Sequence, residues 1–275
     1  MSETLYQVTN RVATITLNRP EKLNAWTATM DSDVRSHMAE AERDDQVRVI
    51  VLTGAGRGFC AGADMSLLSS VASQGIQSDQ DAAARLGGSR AQSTGVMHDF
   101  QKKHTYFLGV EKPVLAAING PAVGLGLVIS LYCDLRFASG AARFSTTFSQ
   151  RGLIAEYGMA WMLPRIVGLP NALDLLYSAR TIDAAEALRL GLVNQVFPQE
   201  SFTDRVDEYA ADLAMRVSPR SLRVIKRQVY AAMFQTLGES FDLALTEMIA
   251  SLKSEDFKEG IAHFLQKRAP QFTGK

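Results

Sequence analysis

Val114-Leu115-Ala116-Ala117-Ile118-Asn119-Gly120-Pro121-Ala122-Val123-Gly124-Leu125-Gly126 contains no charged residue and passes from a five-residue apolar run into a glycine-rich loop. A short apolar run bounded by Asn-Gly-Pro predicts a strand covered on both faces. The chain goes on through a helical stretch from Gly126 to Tyr132 and a second strand, Leu135-Arg136-Phe137-Ala138. Strand, loop, helix and strand in that order predict an α/β fold.

The same logic applies upstream. Between Thr27 and about Asp44 the residues Met30, Val34, Met38 and Ala41 recur at helical spacing, and Val47-Arg48-Val49-Ile50-Val51-Leu52-Thr53 is another nearly all-apolar run. It leads into a second glycine loop, Gly58-Phe59-Cys60-Ala61-Gly62-Ala63-Asp64. Before both, Tyr6 to Leu17 alternates apolar and polar residues around Asn10-Arg11, which predicts a β-hairpin. Past Arg165 the pattern becomes almost wholly helical, with helices predicted over 170–179, 183–190, 201–217, 219–237, 239–253 and 255–266 and one strand over 192–197. Asp183 is placed to cap the second of these, with Glu186 three residues further on. The expected division is an α/β core over residues 1–200 and an all-helical region over residues 201–275. Residues 66–95, rich in Ser, Gln, Ala and Gly, read either as a mobile lid near a site or as a surface insertion.

Composition narrows the function. With 275 residues, 47% of them hydrophobic and 21% charged, the chain can bury a substantial core. Its 29 basic residues balance 29 acidic ones, so there is no global attraction to nucleic acid or to an anionic membrane. Met1-Ser2-Glu3-Thr4 lacks a basic, then apolar leader, and no segment reaches the roughly 18 apolar residues of a spanning helix. Export and membrane insertion are thereby disfavoured and a cytoplasmic location is expected. Cys60 and Cys133, each in an apolar context, read as reduced core residues. The four histidines form no metal-ligand spacing with them, so a metal enzyme is not expected.

Two glycine loops, each between a strand and a helix, can aim two backbone N–H groups at one oxygen. That arrangement stabilises an oxyanion and points to carbonyl chemistry. One such loop alone could be a tight turn that needs glycine for backbone reasons. "RGFCAGADM" (57–65) and "INGPAVGLGLVISLYCDLRFAS" (118–139) together resemble the paired signatures of the crotonase, or enoyl-CoA hydratase/isomerase, superfamily, and the likeness continues almost end to end. The resemblance implies a spiral of ββα units whose C-terminal helices pack on neighbours in a homotrimer or a dimer of trimers. It implies an acyl-CoA substrate, with coenzyme A present as part of the substrate. By the family's motif the two donors are the amides of Ala63 and Leu125. The same resemblance places Lys22, Leu23 and Ala25 along the pantetheine and phosphates, and Ala61, Asp64 and Met65 at the adenine. It offers Phe264 and Lys267, in the closing "GIAHFLQKRAPQF", as residues that reach a neighbouring subunit's CoA. Read from the residues alone, Lys22 belongs to an exposed turn, Asp64 caps the helix after its loop, and Lys267 ends a solvated basic helix.

The acids divide the family's reactions. Its hydratases place one glutamate three residues after the second donor and another further on; here those positions hold Val128 and Phe148. Glu156, in Arg151-Gly152-Leu153-Ile154-Ala155-Glu156-Tyr157-Gly158, instead resembles the acid of peroxisomal-type Δ3,Δ2-enoyl-CoA isomerases, whose loop also resembles the one with Pro121 and Leu125. Adding water across a double bond suits two carboxylates, whereas a 1,3-proton shift needs one base that takes a proton from C2 and returns it at C4. A single acid therefore predicts conversion of 3-enoyl-CoA to trans-2-enoyl-CoA. A hydratase with altered acids, a related reaction such as hydrolysis or ring isomerisation, and a non-catalytic acyl-CoA binder are the alternatives. Glu156 is expected at the start of a helix, where it could equally serve the helix dipole. In an apolar pocket its pKa rises.

Overall fold

The computed structural model describes residues 2–66 and 97–275, together with 69, 73 and 75. The candidate lid at 66–95 lies almost wholly outside the described residues. Among them, the strands in chain order are β1 (Thr4–Thr9), β2 (Val12–Leu17), β3 (Val49–Gly54), β4 (Val114–Ile118), β5 (Ala122–Val123), β6 (Leu135–Ser139), β7 (Arg143–Ser145), β8 (Ile182–Asp183) and β9 (Gln195–Phe197). The helices are α1 (Ala28–Arg43), α2 (Leu125–Leu131), α3 (Met159–Val167), α4 (Leu169–Ser178), α5 (Ala184–Arg189), α6 (Phe202–Arg216), α7 (Pro219–Ala232), α8 (Leu237–Leu252) and α9 (Glu255–Gln266).

A six-stranded sheet runs β1-β2-β3-β4-β6-β9, and β5-β7-β8 form a smaller one. β1 and β2 pair antiparallel; from β2 onward every pairing in the large sheet is parallel. Asn10 and Arg11 join the first pair with φ of 50° and 64°. Two successive left-handed residues match the twist of a tight hairpin turn.

The apolar runs follow from burial on both sides. Ile50 and Leu52 of β3 and Ala116 and Ile118 of β4 face a core shared with α1, α2 and α3. Their alternates Val49, Val51, Leu115 and Ala117 pack with Phe202, Val206, Ala210 and Ala214 of α6 on the opposite face. α1 is capped by Thr27, whose side chain accepts from the Met30 amide, and it buries Met30, Val34, Met38 and Ala41. Cys60 and Cys133 are buried free thiols. Among the described residues no helix is long and apolar enough to cross a membrane.

Three local expectations shift, each for a physical reason. Only Gln195–Phe197 of the stretch 192–197 pairs as a strand, because the Leu192 amide bonds back to the Ala187 carbonyl and closes the turn after α5. The helix expected over 219–237 stops at Ala232, and Thr236 and Glu239 form a capping box that starts α8 at Leu237. α3 begins at Met159, later than Glu156, since Tyr157 (φ 49°) and Gly158 (φ 75°) are left-handed. Glu156 thus precedes the helix. The Asp183 cap is present, with its carboxylate accepting from the Glu186 amide at 2.8 Å.

Candidate active site

The first glycine loop leaves β3 and is held on two sides. On one, the Trp26 amide donates to the Gly62 carbonyl at 2.8 Å and the Asp64 amide to the Trp26 carbonyl at 3.0 Å, which makes a parallel bridge between Trp26 and Ala63. In such a bridge the middle residue's own N–H points away from its partner. The Ala63 amide is therefore free to face the second loop's side. On the other, the Cys60 amide donates to the Pro121 carbonyl at 3.0 Å, and the Val123 amide to the Cys60 carbonyl at 2.9 Å. These bonds fasten the two loops together.

The second loop enters α2 through Gly124 (φ 53°, ψ −117°), whose amide donates to Ser145. Leu125 is the first helical residue, so its N–H lacks an intrahelical acceptor. Gly62 sits at φ 105°, and a side chain there would lie 3.8 Å from the Leu125 nitrogen, so the two loops meet close to both candidate donors. Among the described residues neither the Ala63 nor the Leu125 amide has an acceptor. A Cβ at Gly126 would overlap the Cys60 carbonyl. Gly126→Ala should therefore push the loops apart, with a stability loss of about 1–3 kcal/mol in denaturant melts together with a fall in turnover. An unchanged melt would show that the loops do not press on each other.

Glu156 is half-buried, and burial raises the pKa of its carboxyl above the ordinary value. Its carboxylate makes no hydrogen bond or ion pair among the described residues. The two positions where the family's hydratases carry glutamates are Val128, fully buried in the core, and Phe148, 6% exposed. The turn bearing Glu156 is tied to α2 by Tyr132, whose hydroxyl donates to the Tyr157 carbonyl.

The expected CoA contacts fall into two groups. Leu23 (φ 48°) accepts from the Ala61 amide at 2.9 Å, so Lys22, Leu23 and Ala25 form one rim with Ala61 and the first loop. Lys22 and Met65 are exposed. Both oxygens of Asp64 are engaged: one accepts from the Ser66 amide and hydroxyl, the other from Arg19 at 2.8 Å. These bonds, Ser66 foremost, hold its pKa down to about 2. Phe264, 77% exposed, and Lys267 belong to the end of α9, and their described hydrogen bonding is local.

Several supporting residues escape sequence reasoning. Arg19 joins Asp64 to the Ala25 carbonyl, and Asn24 donates to the Gly58 carbonyl at 2.8 Å. Asp31 accepts from the Trp26 indole at 3.2 Å and lies 3.4 Å from His104 Nδ1. His104 is fully buried, which pushes its pKa down to about 3, and its ring meets Tyr157 edge-on at 5.0 Å. Beside Tyr157 and Gly158 opens a cavity of about 370 Å³, lined by Phe100, Leu108, Tyr132, Trp161 and Phe234 and rimmed by Lys102 and Lys103.

The chain that carries these two interlocked loops matches the enoyl-CoA hydratase/isomerase family profile over residues 7–275. The chain belongs to that family. It is 35% identical to the 1,2-epoxyphenylacetyl-CoA isomerase of Escherichia coli K12, over 98% of each chain. It is 32% identical to a protein of Rhodobacter capsulatus named as a probable enoyl-CoA hydratase, over 98% of this chain and 97% of that one. The crystal structure of enoyl-CoA hydratase from Bacillus anthracis superposes with a TM-score of 0.86 at 28% identity, covering 99% of this chain and 100% of that one. The fold is that of the crotonases.

Proposed function

We propose that this acyl-CoA enzyme moves a double bond, converting 3-enoyl-CoA to trans-2-enoyl-CoA. The observation that carries the proposal is one half-buried carboxylate, Glu156, without a hydrogen-bond or ion-pair partner among the described residues, with Val128 and Phe148 where a hydratase would need acids. The thioester oxygen accepts from the Ala63 and Leu125 amides. Ionised Glu156 takes a proton from C2, and the electron pair moves into the enolate held by the two donors. The protonated acid then delivers its proton to C4 as the double bond shifts from C3–C4 to C2–C3. No water is consumed and Glu156 ends as it began, which is why one acid suffices.

Lys22, Leu23, Ala25, Ala61, Asp64 and Met65 are assigned to the CoA moiety, which enters as part of the substrate with no separate cofactor. Exposed apolar side chains along α7–α9, among them Val229, Phe241, Met248, Ile261 and Phe264, support assembly as a homotrimer or a dimer of trimers. In that assembly Phe264 and Lys267 would approach a neighbour's CoA.

A second reading, isomerisation of a ring-derived acyl group, is favoured by the aromatic lining of the cavity that Tyr157 and Gly158 border and by the name of the Escherichia coli relative. Mass-spectrometric product analysis in deuterated water, with 2-enoyl and 3-enoyl thioesters of CoA, tests the proposal. The expected result is interconversion of the two with deuterium entering the acyl chain. Accumulation of 3-hydroxyacyl-CoA would make the enzyme a hydratase, and binding without turnover would make it a carrier.

A further inference from the structure

Tyr132 ends α2, and all seven residues of that helix, Leu125–Leu131, are buried. The helix is about 10 Å long at 1.5 Å per residue. At its start is the Leu125 amide. At its end the Tyr132 hydroxyl donates to the Tyr157 carbonyl, one residue beyond Glu156. The same hydroxyl packs on Gly158 so closely that a Cβ there would overlap it. Tyr157 is left-handed at φ 49° and Gly158 follows at φ 75°. A left-handed tyrosine is unfavourable and persists only where its surroundings over-determine it. Tyr132 supplies that constraint from below, and the buried His104 ring presses on the Tyr157 ring from another side.

We infer that Tyr132 is a positioning residue for Glu156: its hydroxyl ties the turn that carries the acid to the helix whose first amide is the second oxyanion donor. The inference rests on Glu156 being the base. Burial drives the Tyr132 ionisation up to about 12, so the hydroxyl stays a donor across the working pH range. Acid and donor are thereby held in one rigid unit, although they are 31 residues apart in sequence, counting from 125 to 156. The Tyr132 ring also lines the cavity with Tyr157 and Trp161, so a phenylalanine would keep the cavity wall and lose only the tether.

Tyr132→Phe tests this, alone and combined with Glu156→Gln, with kcat, KM and melting temperature measured for each. Positioning predicts a kcat loss of about 10- to 100-fold with KM changed less than about 3-fold, since misplacement near 1 Å is enough for such losses. It also predicts that the loss disappears in the Glu156→Gln background, where no base remains to be positioned. A lowered melting temperature with full kcat, or an equal loss in both backgrounds, would reduce Tyr132 to a support of the fold and overturn the inference. If Glu156→Gln alone retains full turnover, the base assignment fails and the inference with it. An inactive Glu156→Gln beside a fully active Tyr132→Phe removes the positioning role only. Should Tyr132→Phe not fold, Tyr132→Leu also removes the hydroxyl; the same kcat loss, absent in the Glu156→Gln background, is expected, and no loss would overturn the inference.

Discussion

Glu156→Gln is expected to slow the double-bond shift by about 10²–10⁴-fold, the range that a positioned acid–base group contributes, while acyl-CoA binding stays within a few-fold of the parent. Two further readouts carry signs that follow from burial. The reaction needs ionised Glu156, so the acid limb of kcat against pH lies above the ordinary glutamate value of about 4.3 and vanishes in the variant. The second is stability. A carboxyl whose pKa is raised by folding opposes the folded state once it ionises. That penalty is absent below the unfolded pKa and complete above the folded one. The glutamine variant should therefore melt at a slightly higher temperature than the parent at neutral pH, with the gap closing as pH falls toward about 4. A variant that gains stability yet keeps its rate would make Glu156 a buried acid with no catalytic part.

Leu125→Pro should cost about 10²–10³ in kcat, or about 2.7–4 kcal/mol, because it deletes one oxyanion donor and little else of the backbone. Proline is accepted at the first position of a helix, where the lost N–H had no intrahelical partner. The Leu125 side chain is itself buried, 7% exposed, so Leu125→Ala is the needed comparison. It removes the side chain and keeps the N–H. Equal kcat losses for the two variants would assign the effect to packing and leave the amide without a catalytic role.

The parts of this molecule that are legible in sequence are those set by periodicity over many residues. The spacing of Met30, Val34, Met38 and Ala41 is enough to predict α1, and the runs at 47–53 and 114–118 predict strands covered on both faces, which β3 and β4 are. The two loops are legible because glycines signal tight strand-to-helix turns, and the resemblance to the crotonases, not the glycines, singles out Ala63 and Leu125 within them. What periodicity cannot show is a conformation imposed from outside the segment. Nothing in Ala155-Glu156-Tyr157 announces that the tyrosine is left-handed, since the cause lies in Tyr132 and His104. The Arg19–Asp64 pair spans 45 residues, and Trp26 and Asp31, at the start of α1, meet His104 from a segment far along the chain. The stop of α7 at Ala232 was available in the Thr236–Glu239 capping box, but the apolar residues Met233 and Phe234 extend the helical pattern past it.

Cys60 lies inside the first glycine loop, where a thioester would be gripped, and a sulfur nucleophile there could in principle capture the acyl group. Full burial drives its thiol up to about 12, so at neutral pH it is the neutral thiol and not the nucleophilic thiolate. The thioester chemistry proposed for this loop thus has no thiolate beside it to exchange the acyl group.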